Sequence, residues 1–197
     1  MPYMSATPPK GPSLKEVIAR FGGEDGLRKK PPVHLWNPPF CGQIDMRIAR
    51  NGSWHYMGSP IPRPAMVKLF ASILRREPDD SYVLVTPVEK CAIRVDDAPF
   101  VAVEATVADE GDARLIAFRT NVDDIVPLDA EHPLRIAVNP QTGEPSPYVL
   151  VRDRLEALIA RPVYYQLVEM AEERVVDGKT MLGVQSAGNF FALGEMP

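Results

Sequence analysis

Ile61, Pro62, Arg63 and Pro64 open one helical pattern in this chain, and Ile159, Ala160, Arg161 and Pro162 open a second 98 positions later. At the same offset Met66, Leu69, Phe70 and Ile73 fall on Tyr164, Leu167, Val168 and Ala171, apolar at i, i+3, i+4 and i+7 in both copies. A period of that length makes no solenoid; it constrains the chain to two related domains, each built around one helix. Proline suits the first helical position, where its missing N–H has no intrahelical partner to lose. Arginine is the unexpected residue, because a helix start is partially positive and a cation beside it is mismatched unless an anion sits nearby.

The segments flanking the two helices repeat one order. Ile44, Met46 and Ile48 alternate with Asp45, Arg47 and Ala49 as a half-buried strand, Asn51 with Gly52 signals a two-residue hairpin, and Trp54 and Tyr56 share a face of the return strand. The first helix is expected from Arg63 to about Arg76, followed by strands over 81–86 and 91–95. Asp96, Asp97, Ala98 and Pro99 punctuate the chain and divide it into an arm and helix over 1–30, a first domain over 31–98 and a second over 99–197. The second opens on an added hairpin, Val101, Val103, Ala105 and Val107 alternating before a turn at Gly111 and a return over 113–120. A short strand near Ile125 leads to Leu134, Ile136 and Val138, a turn around Gly143, a strand over 148–151, a helix over 162–173, and strands over 181–185 and 190–193. Arg47, Ile48 and Ala49 are echoed by Arg135, Ile136 and Ala137, and Val85 before Thr86 by Val184 before Gln185 and Ser186. The expected class is α+β: two related small domains, each strand-strand-helix-strand-strand, the second with an added N-terminal hairpin.

Ahead of them, residues 1–12 read as a frayed arm. Ser13 with Glu16 is a capping box opening a helix whose stripe is Leu14, Val17, Ile18 and Phe21, stopped by Gly22 and Gly23. The segment 31–42, with Trp36, Pro38, Pro39 and Phe40, is too proline-rich for regular structure and reads as an extended loop along the core's edge.

Composition removes several functions. With 22 basic against 26 acidic residues, net charge −4 and pI near 5.4, the chain lacks the broad basic face of a sequence-independent nucleic-acid binder, and Arg28, Lys29 and Lys30 read as a solvated loop. No apolar run reaches the roughly 18 residues of a membrane span and the N-terminus lacks a secretory signal core, so a cytoplasmic address without membrane partners is expected. Cys41 and Cys91 lie far apart in dissimilar contexts and read as reduced thiols, Cys91 alternating with Ile93 and Val95 as a core residue. His34, His55 and His132 form no close-spaced ligand pair, so neither metal nor cofactor is expected. Gly178, Lys179 and Thr180 resemble the end of a phosphate-binding loop, but Glu173 occupies the earlier glycine position. Gly183, Gln185, Ser186 and Gly188 miss the spacing of a nucleophile elbow by one. No residue is assigned a catalytic role.

The candidates that remain are binding groups. Arg63 and Arg161 present a planar fork that matches phosphate or carboxylate, beside backbone donors at a helix start. Trp54 and Tyr56 can stack on a flat ring, Ser59, Thr86 and Ser186 offer hydroxyls beside turns, and Glu89 with Lys90 occupies the turn after Thr86. Each has a competing structural use: ion pairs of the arginines to Glu89, Asp96, Asp153 or Glu156, core packing for the aromatics, and turn bonding for the hydroxyls.

Gly52, Ser53 and Trp54, then Gly58, Ser59, Pro60, Ile61 and Arg63, then Leu69 with Phe70, resemble the bacterial family of domain of unknown function 1285. The run from Leu84, Val85, Thr86 and Pro87 through Val88, Glu89 and Lys90 is similar to the same family. So are Asp96 to Phe100 and the ending Ser186, Gly188, Asn189, Phe190, Phe191 and Gly194. The resemblance covers nearly everything from about residue 31 onward. It implies two duplicated α+β domains, the C-terminal one superficially similar to pleckstrin-homology folds, a nucleotide-type ligand site between them, and a role in signal transduction; it brings no catalytic residues.

The expected protein is a two-domain sensor of an anionic or nucleotide-like small molecule, held in the interdomain cleft by Arg63 and Arg161, with a signalling protein as its partner. Two alternatives stay open. An enzyme acting on a phosphorylated or carboxylated metabolite would use Glu89 as a base. A protein-interaction adaptor would use an exposed apolar patch around Trp36 and Phe40.

Overall fold

The computed structural model describes residues 30–110 and 113–196. The expected capping-box helix after Ser13, the basic residues Arg28 and Lys29, and the Gly111 turn lie outside the described residues. The chain divides between Asp96 and Asp97 into two compact units. Among the described residues there are two α-helices in a molecule otherwise built of strands, so the class is α+β with two related domains. No helix of the described residues is long and apolar enough to cross a membrane.

The first unit runs through β1 (Phe40–Ile48), β2 (Trp54–Tyr56), β3 (Ser59–Pro60), α1 (Pro64–Ser72), β4 (Leu74–Arg76), β5 (Tyr82–Val85) and β6 (Lys90–Val95), all its strands in one sheet ordered β3-β2-β1-β6-β5-β4. β1 and β6 pair in parallel, a connection that α1 makes possible by crossing one face. Register puts Met46, Ile48, Trp54, Leu84, Cys91 and Ile93 on that face, where Trp54 stacks on Phe70 of α1 at 6.2 Å. Both rings are buried, and full burial of such side chains stabilises by about 1.5–3 kcal/mol each. The hairpin between β1 and β2 is a three-residue loop instead of the expected two, closed by the Ala49 N–H on the Ser53 carbonyl at 2.9 Å, with Gly52 left-handed at φ 84.

α1 ends at Ser72, four residues short of the expected Arg76. Neither glycine nor proline marks that end. Burial decides it: Ile73 and Leu74 are fully buried, and Leu74, Arg75 and Arg76 take ladder partners in Leu84, Val83 and Tyr82, a tertiary gain that outweighs local helix propensity.

The second unit runs through β7 (Phe100–Glu110), β8 (Ala113–Thr120), β9 (Ile125–Pro127), β10 (Leu134–Val138), β11 (Pro145–Arg152), β12 (Leu155–Ile159), α2 (Arg161–Glu169), β13 (Glu172–Val176), β14 (Lys179–Ser186) and β15 (Asn189–Glu195). Its sheets are ordered β10-β11-β12-β7-β8-β9 and β13-β14-β15. Val163 and Leu167 are the buried residues of α2. The end of β14 is tied to β8 by the Ile116 N–H on Ser186 Oγ at 2.9 Å and by the Ala187 N–H on the Arg114 carbonyl at 2.8 Å. As in the first domain, the helix stops early, and Glu172 and Glu173 pair with Gly183 and Leu182 where helix was expected. β12, which pairs in parallel with β7, was not foreseen in the sequence.

Candidate functional site

The sheet face of the first domain opposite α1 carries the site. Phe40 pairs with Lys90, and Arg75 with Val83 and Val83 with Ala92, so all five point away from Trp54 and Phe70. They approach the turn that joins β4 to β5. Glu77 N–H bonds the Ser81 carbonyl at 2.8 Å, Asp80 turns left-handed at φ 69, and Asp79 Oδ1 accepts from the Ser81 amide at 3.0 Å and hydroxyl at 2.6 Å. Those two bonds from Ser81 hold the Asp79 carboxyl below the usual carboxylate range.

Between turn and sheet lies a cavity of about 550 Å³ lined by Phe40, Glu77, Pro78, Asp79, Ser81, Val83, Lys90 and Ala92. That volume suits a small organic molecule. Its walls are apolar where Phe40, Pro78, Val83 and Ala92 meet it, and its charged groups are Asp79 on the turn and a cluster around Glu77. Glu77 accepts from Arg75 Nε at 2.5 Å and from Lys90 Nζ at 3.2 Å, all three side chains between 16% and 19% exposed. Burial acts to raise the Glu77 carboxyl; the bonds from Arg75 and Lys90 outweigh it and leave the group below its ordinary value. Arg75 also donates to the carbonyls of Val33 at 2.8 Å and Trp36 at 2.6 Å, fixing the Pro-rich segment and its short 3-10 turn, Val33–Leu35, against the domain. Arg75 and Lys90 balance the carboxylates of Glu77 and Asp79, so the site is close to neutral, and Lys90 is the cation in its wall that can donate to the anionic end of a small molecule with an apolar body.

Of the residues singled out in the sequence, Lys90 lines this cavity, and Thr86 builds the turn that delivers it. Thr86 Oγ1 accepts from the amides of Glu89 at 3.1 Å and Val88 at 3.3 Å, with Glu89 half-buried on the same turn. Trp54 is 2% exposed and belongs to the core; Tyr56 is half-buried and pairs with exposed Ser59. Ser186 is fully buried and its hydroxyl is used by Ile116 in the second domain. Arg63 is the exposed N-cap of α1, its carbonyl accepting from the Met66 and Val67 amides. Arg161 is the first residue of α2, 74% exposed and ion-paired with Glu144, a carboxylate outside the four expected for it. The two arginines belong to different units.

Sequence reasoning missed Arg75, Glu77, Asp79 and Ser81. One signal was present: Arg75 and Glu77 are two apart, a spacing that brings side chains together on a strand and not on a helix. Extending the helix to Arg76 concealed it.

Comparison with known proteins matches residues 31–98 to the domain of unknown function DUF1285, N-terminal domain, and residues 99–193 to the protein of unknown function DUF1285, C-terminal domain. A crystal structure of a DUF1285 family protein from Silicibacter pomeroyi DSS-3 is 54% identical, with TM-score 0.78 over 85% of this chain and 89% of that one. A second, from Shewanella baltica OS155, is 29% identical, with TM-score 0.50 over 63% of this chain and 90% of that one. No curated protein matches the chain.

Proposed function

From the premise that this chain belongs to the DUF1285 family, whose description names no activity, we propose that it is a ligand-binding protein. Its ligand is a small molecule with a flat apolar body and an anionic end, of which a nucleotide is one form. The observation that carries this reading is Lys90, an ammonium 19% exposed, the cation in the wall of a cavity whose other side is apolar, and bonded to Glu77. An ammonium has three protons to donate; one serves Glu77, and a ligand carboxylate or phosphate can take the others. Phe40, Pro78, Val83 and Ala92 supply the surface against which a ring lies. Arg75 behind Glu77 offsets that carboxylate, so that Lys90 can turn to a ligand without leaving Glu77 unpaired.

A panel of nucleotides and aromatic carboxylates screened by thermal shift tests the proposal. At a hundredfold excess over its dissociation constant a ligand stabilises the fold by about 2.7 kcal/mol, which raises the first domain's midpoint by on the order of 10 °C. Lys90→Gln removes the charge and Ala92→Trp fills the cavity, and both should abolish most of the shift. Ligands that stabilise these variants as much as the parent protein would show that the site lies elsewhere.

A further inference from the structure

We propose that Cys41 and Cys91 are a thiol pair that closes to a reversible disulfide and thereby regulates the first domain's pocket. The consequence for binding rests on the pocket reading above; the bond itself does not. Phe40 pairs with Lys90 across the parallel strands β1 and β6, so the next residues, Cys41 and Cys91, stand side by side on the opposite face. Adjacent strands lie about 4.8 Å apart, within the Cα separation of roughly 4.4–6.8 Å that a disulfide spans. The pairing then slips: Gln43 is opposite Ala92, so β1 uses one residue more than β6 over this interval. Cys41 and Gly42 are the bulged pair, and Gly42 sits at φ 95, where a residue with a side chain would be strained. A bulge bends its strand and re-aims the side chain it carries, which gives Cys41 the local freedom to meet a sulfur on its neighbour.

The two thiols have unequal roles. Cys91 is 2% exposed, and burial, with Cys41 beside it, pushes its thiol up to about 11, so it stays protonated at neutral pH. Cys41 is half-buried, its S–H directed to the Pro39 carbonyl at 3.6 Å, and is the sulfur that a small oxidant reaches. With hydrogen peroxide, the Cys41 thiolate attacks one oxygen, the O–O bond breaks, and hydroxide leaves, giving the sulfenic acid. The Cys91 sulfur then attacks the Cys41 sulfur, forming S–S as the hydroxyl departs with the Cys91 proton as water. Two thiols lose two electrons and two protons, and the peroxide becomes two waters. Phe40 and Lys90 are the chain neighbours of the two cysteines and both line the cavity, so drawing the sulfurs together moves its aromatic wall and its cation.

The test uses the full chain and anilinonaphthalene sulfonate, a probe with an aromatic body and an anionic end. After peroxide, peptide mapping without reductant should show Cys41 joined to Cys91 within one chain, and probe affinity should fall several-fold and return with dithiothreitol. Peroxide-treated Cys41→Ser and Cys91→Ala proteins should keep the parent affinity. Cys41 recovered as sulfinic acid or in an interchain disulfide, with Cys91 still alkylated after denaturation, overturns the pairing. An intrachain bond that leaves probe affinity unchanged overturns the regulation. If reduced Lys90→Gln and Ala92→Trp bind the probe like the parent protein, the pocket reading has failed instead, whatever the cysteines do.

Discussion

Replacing Glu77 by glutamine isolates the electrostatic centre of the first domain. The carboxylate serves Arg75 through one oxygen and Lys90 through the other, at 2.5 and 3.2 Å, with all three side chains less than a fifth exposed. A hydrogen bond to a charged group contributes about 1.5–3 kcal/mol, and glutamine keeps one carbonyl oxygen, so it can satisfy one cation and faces the other with an amide. The expected loss at neutral pH is about 2–3 kcal/mol, or on the order of 10–15 °C in a domain of this size. Trp36 and Trp54 are the chain's two tryptophans and both lie in the first domain, so their fluorescence during urea unfolding reports this domain alone. The pH dependence gives the decisive signature. Glu77 is held below its ordinary value of about 4.3, so its contribution is complete above that value and disappears as pH falls through the lower, folded one. The parent protein should therefore lose stability more steeply in acid than Glu77→Gln, and the two curves should converge. A difference below about 0.5 kcal/mol at neutral pH, or one that persists undiminished in strong acid, would show that Glu77 does not hold the two cations in this way.

Two substitutions test the second domain. Gly183→Ala places a Cβ 2.5 Å from both Phe190 Cζ and the Phe191 carbonyl oxygen; the ring can shift but the backbone cannot, and a cost of about 1–3 kcal/mol should appear in far-UV circular dichroism with the tryptophan transition unmoved. Ser186→Ala leaves the Ile116 N–H buried without its hydroxyl acceptor, and should destabilise the same transition by about 1–3 kcal/mol, more than Ser59→Ala on the exposed β3.

Period-2 alternation made the first hairpin and β8 legible, because Met46 and Ile48, and Ile116 and Phe118, mark one buried face; β7 was legible too, although Val103 and Val107 of its alternating set are exposed. The shared helix starts were legible through Pro64 and Pro162. The helix ends were not, since Ser72 and Glu169 are followed by no stop residue and the chain leaves the helix only to bury Ile73 and Leu74 or to pair Glu172. Lys90 was visible as a polar residue in a turn. Its partner Glu77 was not, because their contact depends on β4 existing and on β5 lying between them. The repeated arginines drew attention in the sequence by symmetry alone. In the folded chain Arg161 already has Glu144, and the cation in the wall of the first domain's cavity is Lys90, with Arg75 behind Glu77.

Backbone amide shifts of isotope-labelled protein, followed while adenosine monophosphate or anilinonaphthalene sulfonate is titrated, locate the ligand residue by residue. The perturbed amides should cluster at Phe40, Glu77, Ser81, Val83, Lys90 and Ala92. Shifts centred on Arg63 or Arg161, or no saturable shifts with any anionic aromatic probe, would contradict this site.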